Sequence, residues 1–319
     1  MTDAPASSSP SFSVVMPAYN TAPTVGPAIK SVLEQTRTDF QLVVVDDGST
    51  DDTVARIEPY LEDPRVELVR QENRGAAAAR NAGIERATAP LVAMIDSDDL
   101  YMPDYLERMG AALDADPGAS LAYTDAWVLS DTTRKIRRAS AMHYQRPPPA
   151  SPPDSEVFLR LLLERNFIFT SATVRKPVLE EVGGVCERIT AKVDLELWLR
   201  IAAAGHRPVR VPGKLAIYRH RAGSITHDEL NASIQRREVW RMVAEEYDVP
   251  RDVKDAARAH IRRLDERIPV LRDERRLQSP LLRVRRALGR VQRAVMWRSI
   301  WFAEPPAEVR AAFPDLRAV

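Results

Sequence analysis

The chain has 319 residues, 46 Lys and Arg against 45 Asp and Glu, a formal net charge of +1 and one cysteine. That balance argues neither for nor against a polyanionic partner, and no nucleic-acid partner is expected. The single Cys186 excludes an internal disulfide and fits a reducing compartment, while the length allows one large domain or one domain plus an extension, of which the second is expected.

Residues 1–11, MTDAPASSSPS, lack the basic start and apolar core of a secretory signal and read as a disordered tail. No window approaches the ~18–20 apolar residues that span a bilayer, so a soluble or peripheral protein meeting cytoplasmic small molecules is expected. Four short runs follow, FSVVM (12–16), QLVVVD (41–46), RVELV (65–69) and PLVAMI (90–95), and they alternate with helical patterns. Continuous apolar strands separated by helices predict a parallel sheet covered on both faces, an α/β layout of nucleotide-binding type. The helices are punctuated: GSTDDTVARIEPYL opens with Ser49 or Thr50 as its N-cap, and MPDYLERMGAALDA carries Pro103 near its first turn.

SLAYTDAWVL (120–129) predicts another strand, and the Pro- and Arg-rich stretch 132–155 predicts a mobile loop, either an acceptor-binding lid or a passive connector. Structure resumes with SEVFLRLLLERN, the strand-like FIFTSATVR, the helix DLELWLRIAAAG and the strand-like PVRV and KLAIYR. From Asp228 the pattern turns helical and charged, which sets a boundary: a main domain over 12–227 and a helical, basic extension over 228–319. Within the extension, 280–302 holds six arginines and no acid among Leu, Val, Met and Trp. Two readings stand: a helix lying on an anionic membrane surface, or a packing helix that meets the core or a second copy of the chain.

In an open parallel sheet, ligands bind beyond the carboxyl ends of the strands. The residues there are Pro17, Ala18, Tyr19 and Asn20 after the first strand, Asp46, Asp47, Gly48 and Ser49 after the second, and Asp96, Ser97, Asp98 and Asp99 after the fourth. Neither G-x-G-x-x-G nor G-x-x-x-x-G-K-[ST] occurs, so neither glycine-loop phosphate grip is available. Carboxylates alone repel a diphosphate and hold one only through a divalent cation, with Mg²⁺ or Mn²⁺ favoured by all-oxygen ligands. A bare D-x-D is weak evidence. Asp114-Ala115-Asp116 is a second copy, but no apolar strand precedes it and its acids are merely solvated. Asp96 to Asp99 follows a strand and precedes a helix, as a metal–diphosphate site requires.

VVMPAYN, LVVVDDGSTDDT, NRGAAAARNAGI and MIDSDD, in that order, resemble the nucleotide-sugar-binding half of family 2 glycosyltransferases with the GT-A fold; with the second half included, the resemblance covers about 13–223. It implies an inverting enzyme that uses a nucleotide sugar, UDP-linked, and a divalent metal, and that acts on a glycan or lipid-linked acceptor in surface polysaccharide or glycolipid assembly. It implies that Asp46 and Asp47 recognise base and ribose, with Asp47 on the base, that Pro17, Ala18 and Tyr19 wall the nucleotide, and that Arg80 lies near it. Asp98 and Asp99 match the metal and ribose contacts, with Asp96 and Ser97 adjacent.

In the second half, AKVDLELWLRIAAAG is similar to the family's acidic-pair helix. Aligned on Leu197-Trp198-Leu199-Arg200, Asp194 falls on the catalytic base and Val193 replaces the preceding glutamate. Taken alone, Asp194 also reads as a carboxylate complementing a helix N-terminus, and Trp198 either stacks on an acceptor sugar or, as its helical spacing favours, packs in the core. YRHRAGSIT resembles a segment whose histidine reaches the metal or diphosphate. Here that position is Arg221, with His220 one place early and so on the other face of a strand; Arg221 is the implied phosphate contact. His206 and His227 have no metal-ligand spacing. Polymer-making members carry Q-x-x-R-W, absent here, which favours single addition. A sugar-1-phosphate nucleotidyltransferase would need a basic glycine-rich loop after strand one, which MPAYNTAPT lacks. A non-catalytic nucleotide-sugar binder or scaffold is the remaining alternative.

Overall fold

The computed structural model describes residues 9–130, 135–137, 149–220, 228–276, 302–303 and 306–314. Strands β1 (Phe12–Ala18), β2 (Phe40–Asp46), β3 (Val66–Arg70) and β4 (Leu91–Met94) are parallel and lie in the order β4-β1-β2-β3. The sheet continues through strands numbered in chain order as β5 (Leu100–Tyr101), β6 (Leu121–Ser130), β7 (Lys135–Arg137), β8 (Thr173–Arg175), β9 (Pro208–His220) and β10 (Phe302–Ala303). β8 is antiparallel to both β4 and β6, and β9 runs parallel to β6 and pairs antiparallel with β5.

The α-helices among the described residues are α1 (Val25–Leu33), α2 (Thr53–Ile57), α3 (Ala76–Arg86), α4 (Tyr105–Ala115), α5 (Ser155–Glu164), α6 (Lys176–Glu181), α7 (Val193–Ala203), α8 (Glu229–Glu245), α9 (Arg251–Arg276) and α10 (Ala307–Ala312). Strand alternation assigns side chains to two cores. Val14 and Met16 of β1, with Leu91 and Ala93 of β4, join Val25, Ile29, Leu106 and Met109 of α1 and α4 on one face. Val15, Val92 and Met94 join Ile84, Phe158, Leu195 and Trp198 of α3, α5 and α7 on the other. The four expected parallel strands are present, covered on both faces by helices.

Three expected elements differ in detail. FIFTSATVR is strand only at Thr173–Arg175, because side chains claim the carbonyls before it: Trp198 Nε1 donates to Ile168 O and the Tyr105 hydroxyl to Ser171 O. PVRV and KLAIYR form one strand, β9, which passes through Gly213 at φ 100° where its register with β6 shifts. The N-cap of α2 is Asp52 rather than Ser49 or Thr50, since those two residues are bound to Asn20, as described below. Residues 1–8, most of 132–155 and 280–301 fall outside the described residues, and with them the tail, much of the mobile loop and the basic stretch.

The helices beyond the expected boundary at Asp228 continue the main core. Val239, Trp240 and Val243 of α8 and Val253 and Ala257 of α9 belong to the cluster that holds Phe158, Leu195 and Trp198. The Trp240 ring stacks on His260 with centroids 4.6 Å apart. No helix among the described residues is long and apolar enough to cross a membrane.

α3 lies unusually close to the sheet because Gly83 has no side chain: a Cβ there would sit 2.4 Å from Val15 Cγ1 and 3.3 Å from Val45 Cγ2. Close approach of α3 is what brings Arg80, three residues earlier, over the end of β4. Gly83→Ala is therefore expected to destabilise the protein by about 1–3 kcal/mol through overpacking, despite alanine's better helix propensity; urea unfolding monitored by circular dichroism measures it.

Candidate active site

The loops after β1 and β2 are fastened to each other. Asn20, at φ 51°, donates from its backbone N to Ser49 Oγ at 3.1 Å and accepts from Thr50 N at 2.8 Å through Oδ1. Pro17 and Ala18 are buried in β1, paired in register with Val45 and Asp46, while the Tyr19 ring is 47% exposed at the rim. Asp46 is buried, accepts from Ser49 N, and has Arg70 Nε 3.8 Å from Oδ2. Asp47 is buried too, and its carboxylate is already engaged: Oδ1 accepts from Gln71 Nε2 at 2.7 Å and Arg74 N at 2.9 Å, and Oδ2 from Gly75 N at 2.8 Å. Asp47 thus holds the loop that leads from β3 into α3, a structural task beside any ligand contact.

At the end of β4, Asp96, Asp98 and Asp99 each present a carboxylate oxygen within 4.8 Å of the others. The chain turns tightly there, with Asp99 N donating to Asp96 O, and returns as β5. β5 pairs with β9, Leu100 opposite Ile217 and Tyr101 opposite Ala216. That pairing delivers Arg219, whose backbone N donates to Asp99 Oδ1 at 2.9 Å and whose Nε donates to Asp98 O at 3.0 Å. The Tyr101 hydroxyl donates to Met94 O at 2.8 Å and its ring stacks on Tyr105 at 3.7 Å, which buttresses the turn from below. Ser97 is buried within the turn.

Asp99 is 1% exposed, and burial, then the charges of Asp98 and Asp96, push its carboxyl well above the usual carboxylate range. Its Oδ2 has no hydrogen-bond partner. A buried carboxylate oxygen without a donor, beside two further carboxylates, fits a divalent cation, and the all-oxygen set suits Mn²⁺ or Mg²⁺. The other D-x-D is committed elsewhere: Arg207 forks onto both oxygens of Asp116 at 2.7 Å and holds its carboxyl below the usual range.

Arg80 links this cluster to the second half of the chain. It is 9% exposed, its Nη2 is ion-paired to Asp96 Oδ1, and its Nε lacks a hydrogen-bond partner. Arg80, Met94, Thr170, Val185, Val193, Asp194, Leu197 and Trp198 line one small cavity, so Asp194 shares it with the arginine that is paired with Asp96. Asp194 is half-buried in the first turn of α7, and its Oδ2 accepts from Asn166 Nδ2 at 2.6 Å. Trp198, one turn on, is fully buried with Nε1 bonded to Ile168 O, which confirms core packing.

α7 is anchored on its far side as well. Glu196 is fully buried; it accepts from Arg200 Nε at 2.8 Å and from the Tyr247 hydroxyl, just beyond α8. Arg200 reaches on to the carbonyls of Val182 and Gly184. Asn81, next to Arg80 on α3, exchanges hydrogen bonds with the backbone of Val185 at 2.7 and 2.9 Å. The loop before α7 is thus tied to both helices.

Of the residues singled out from the sequence, Asp96, Asp98, Asp99 and Arg80 meet, and Asp194 joins them through the cavity. His220 ends β9 opposite Ser130, while Arg221 and His227 lie outside the described residues. His206 bridges Ser120 Oγ and Glu181. Sequence reasoning missed two contacts. Arg219 was visible only as half of a Tyr-Arg pair, and its role depends on the two-residue strand β5. Asn166 carries no motif at all, since it reaches Asp194 across 28 positions.

A mostly parallel sheet covered by helices, with an acidic turn at the end of β4, is the GT-A fold of glycosyltransferases. Two solved structures share the fold: Staphylococcus aureus TarS 1–349, with TM-score 0.61 and 19% identity over 79% of this chain and 71% of that one, and the Pyrobaculum calidifontis mannosyltransferase PcManGT, with TM-score 0.60 and 20% identity over 97% and 88%. Residues 13–183 match the family model described as Glycosyl transferase family 2, and the chain belongs to that family. The succinoglycan biosynthesis protein ExoO of Rhizobium meliloti (strain 1021) is 35% identical over 240 residues, 72% of this chain and 68% of ExoO. Other curated glycosyltransferases are matched over only 14–36% of their own length.

Two expectations follow from this geometry. Asp47→Ala strips the acceptor from Arg74 N and Gly75 N, with an expected loss of about 0.5–1.5 kcal/mol per hydrogen bond; faster hydrogen exchange at those two amides localises it. Asp99 has a folded-state pKa raised above the unfolded one, so it contributes stability below about pH 4, its unfolded value, and that contribution is lost as pH rises through the folded one. Without added divalent cation, wild-type stability relative to Asp99→Asn should fall between pH 4 and neutrality, as read from paired urea titrations.

Proposed function

We propose that the chain transfers a sugar, with inversion, from a UDP-linked donor to an acceptor hydroxyl, with Asp194 as general base and a divalent cation held by Asp98 and Asp99. The observation that carries this reading is the shared cavity. Asp194 and Arg80 line the same small cavity and Arg80 is paired with Asp96 of the carboxylate turn, which would set the base beside the diphosphate side of the site.

Asp194 accepts the proton of the acceptor hydroxyl as that oxygen bonds to the anomeric carbon. The anomeric bond to phosphate breaks on the opposite face, and the electron pair leaves with the nucleoside diphosphate. General base help of this kind is worth ~10² to 10⁴-fold. When bound, a cation at Asp98 and Asp99 would neutralise charge on the diphosphate. Pro17, Ala18 and Tyr19 would flank the base, Asp46 would reach the nucleoside, and Asp47, while holding the 71–75 loop, would keep its remaining lone pair for the base. UDP is favoured by the residue-level resemblance and by the fold neighbour TarS, solved with UDP and with UDP-GlcNAc. Mn²⁺ accompanies GDP-Man in PcManGT. Polysaccharide assembly is favoured by the likeness to ExoO.

Thermal unfolding with UDP, GDP, UDP-glucose, UDP-GlcNAc or GDP-mannose, each with and without Mn²⁺, tests the donor. A UDP-selective rise that needs Mn²⁺ is expected, amounting to about 2.7 kcal/mol of stabilisation at 100-fold excess over Kd, and lost in Asp98→Asn and Asp99→Asn. A GDP-selective rise would reassign the nucleotide. Asp194→Asn should keep that rise while sugar transfer drops ~10² to 10⁴-fold; undiminished turnover would remove Asp194 from the chemistry.

A further inference from the structure

Asn166 lies two residues beyond α5, where the chain heads towards β8 in extended, non-strand conformation. Its Nδ2 donates to Asp194 Oδ2 at 2.6 Å, and its Oδ1 accepts from Ile168 N at 3.2 Å. An amide has one accepting and one donating end. With the accepting end committed to a backbone N–H, the donating end must face Asp194. Two residues further, the Ile168 carbonyl accepts from Trp198 Nε1 at 3.1 Å, and both Ile168 and Trp198 are fully buried. Asp194 and Trp198 are four apart and therefore on one face of α7. Residues 166–168 are stitched to that face at two points one turn apart.

The stitch matters because an aspartate carboxylate is loosely defined about χ2, whose distribution is broad and roughly two-fold. Its two oxygens exchange unless something distinguishes them. The approach to α7 offers little help: Lys192, the residue before the helix, sits at φ 67°, a left-handed conformation that costs a non-glycine residue about 1–2 kcal/mol. The distinguishing contact comes from Asn166.

We propose that Asn166 is a positioning residue for the transfer: by holding Asp194 Oδ2 it fixes the carboxylate plane and reserves Oδ1 for the acceptor hydroxyl. This rests on Asp194 being the base. Misplacing a reacting group by about 1 Å can cost on the order of 10²-fold, so loss of the amide should lower turnover without touching donor binding.

The test compares the wild type with Asn166→Ala, Asn166→Asp, Asn166→His and Asp194→Asn. The readouts are nucleotide release from UDP-glucose, UDP-GlcNAc and GDP-mannose with water as acceptor and Mn²⁺ present, UDP affinity by calorimetry, and melting temperature. Asn166→Asp keeps the shape and removes the donor, and Asn166→His restores an N–H. The expected result is a kcat about 10 to 100-fold lower in Asn166→Ala and Asn166→Asp, with unchanged donor KM, UDP affinity and melting temperature, and partial recovery in Asn166→His. A wild-type kcat in Asn166→Asp, a histidine variant no better than alanine, or a kcat loss matched by lost UDP affinity and melting temperature would overturn the proposal. If Asp194→Asn is inactive while the Asn166 variants behave as wild type, the positioning role fails and the base stands. If Asp194→Asn is active, or the wild type releases no nucleotide from any donor, base and positioning residue fall together.

Discussion

Burying acid without compensation is the constraint that organises this molecule. Three carboxylates stand within 4.8 Å of one another, one of them 1% exposed, and their mutual repulsion in a low-dielectric setting costs several kcal/mol per unpaired ion. The surrounding structure reads as a set of answers to that cost. Arg80 neutralises Asp96, the backbone of Arg219 serves Asp99, and Arg219 Nε steadies the Asp98 carbonyl. Each answer demands a piece of architecture: α3 pressed onto the sheet through Gly83 to deliver Arg80, and β5 paired with β9 to deliver Arg219. The compensation is incomplete at Asp99 Oδ2, which has no hydrogen-bond partner and which the proposed cation would serve.

Arg80 also explains why two halves of the chain far apart in sequence act on one space. Its guanidinium pairs with Asp96, and the residue also lines the cavity that Asp194 shares. Beside it on α3, Asn81 fixes the loop that feeds α7. One helix of small residues therefore ties the carboxylate turn to the loop that leads into α7.

Much of this was legible in the amino-acid order. Apolar runs that end in polar residues announced the parallel strands and the edge where ligands gather, and Asp96, Asp98 and Asp99 stood out because acid after a buried strand needs a reason. The D-x-D at Asp114 was rightly discounted, and the reason lies in Arg207, 91 positions away from Asp116. What the order hid were contacts made by short or irregular pieces. A two-residue strand such as β5 has no periodicity to detect. Asn166 sits in a segment whose carbonyls are claimed by tryptophan and tyrosine side chains, so its strand-like composition pointed to the wrong ladder. The sequence offered Asp47 as a ligand contact but did not show that it also holds a loop, because its three donors come from residues 71–75, which no local pattern connects to it.

The break in composition near Asp228 suggests an appendage that evolution, or an engineer, exchanges freely. The Tyr247 hydroxyl on Glu196 says otherwise. That bond, with Arg200 and the apolar faces of α8 and α9, makes the helices after Asp228 part of the wall against which α7 is held. A chimera joined at Asp228 would graft a foreign partner onto the helix that carries Asp194. The natural seam for trading tails therefore lies further on, beyond Leu271, since Ile261 and Leu264 still pack on the shared core and Ile268 and Leu271 are buried.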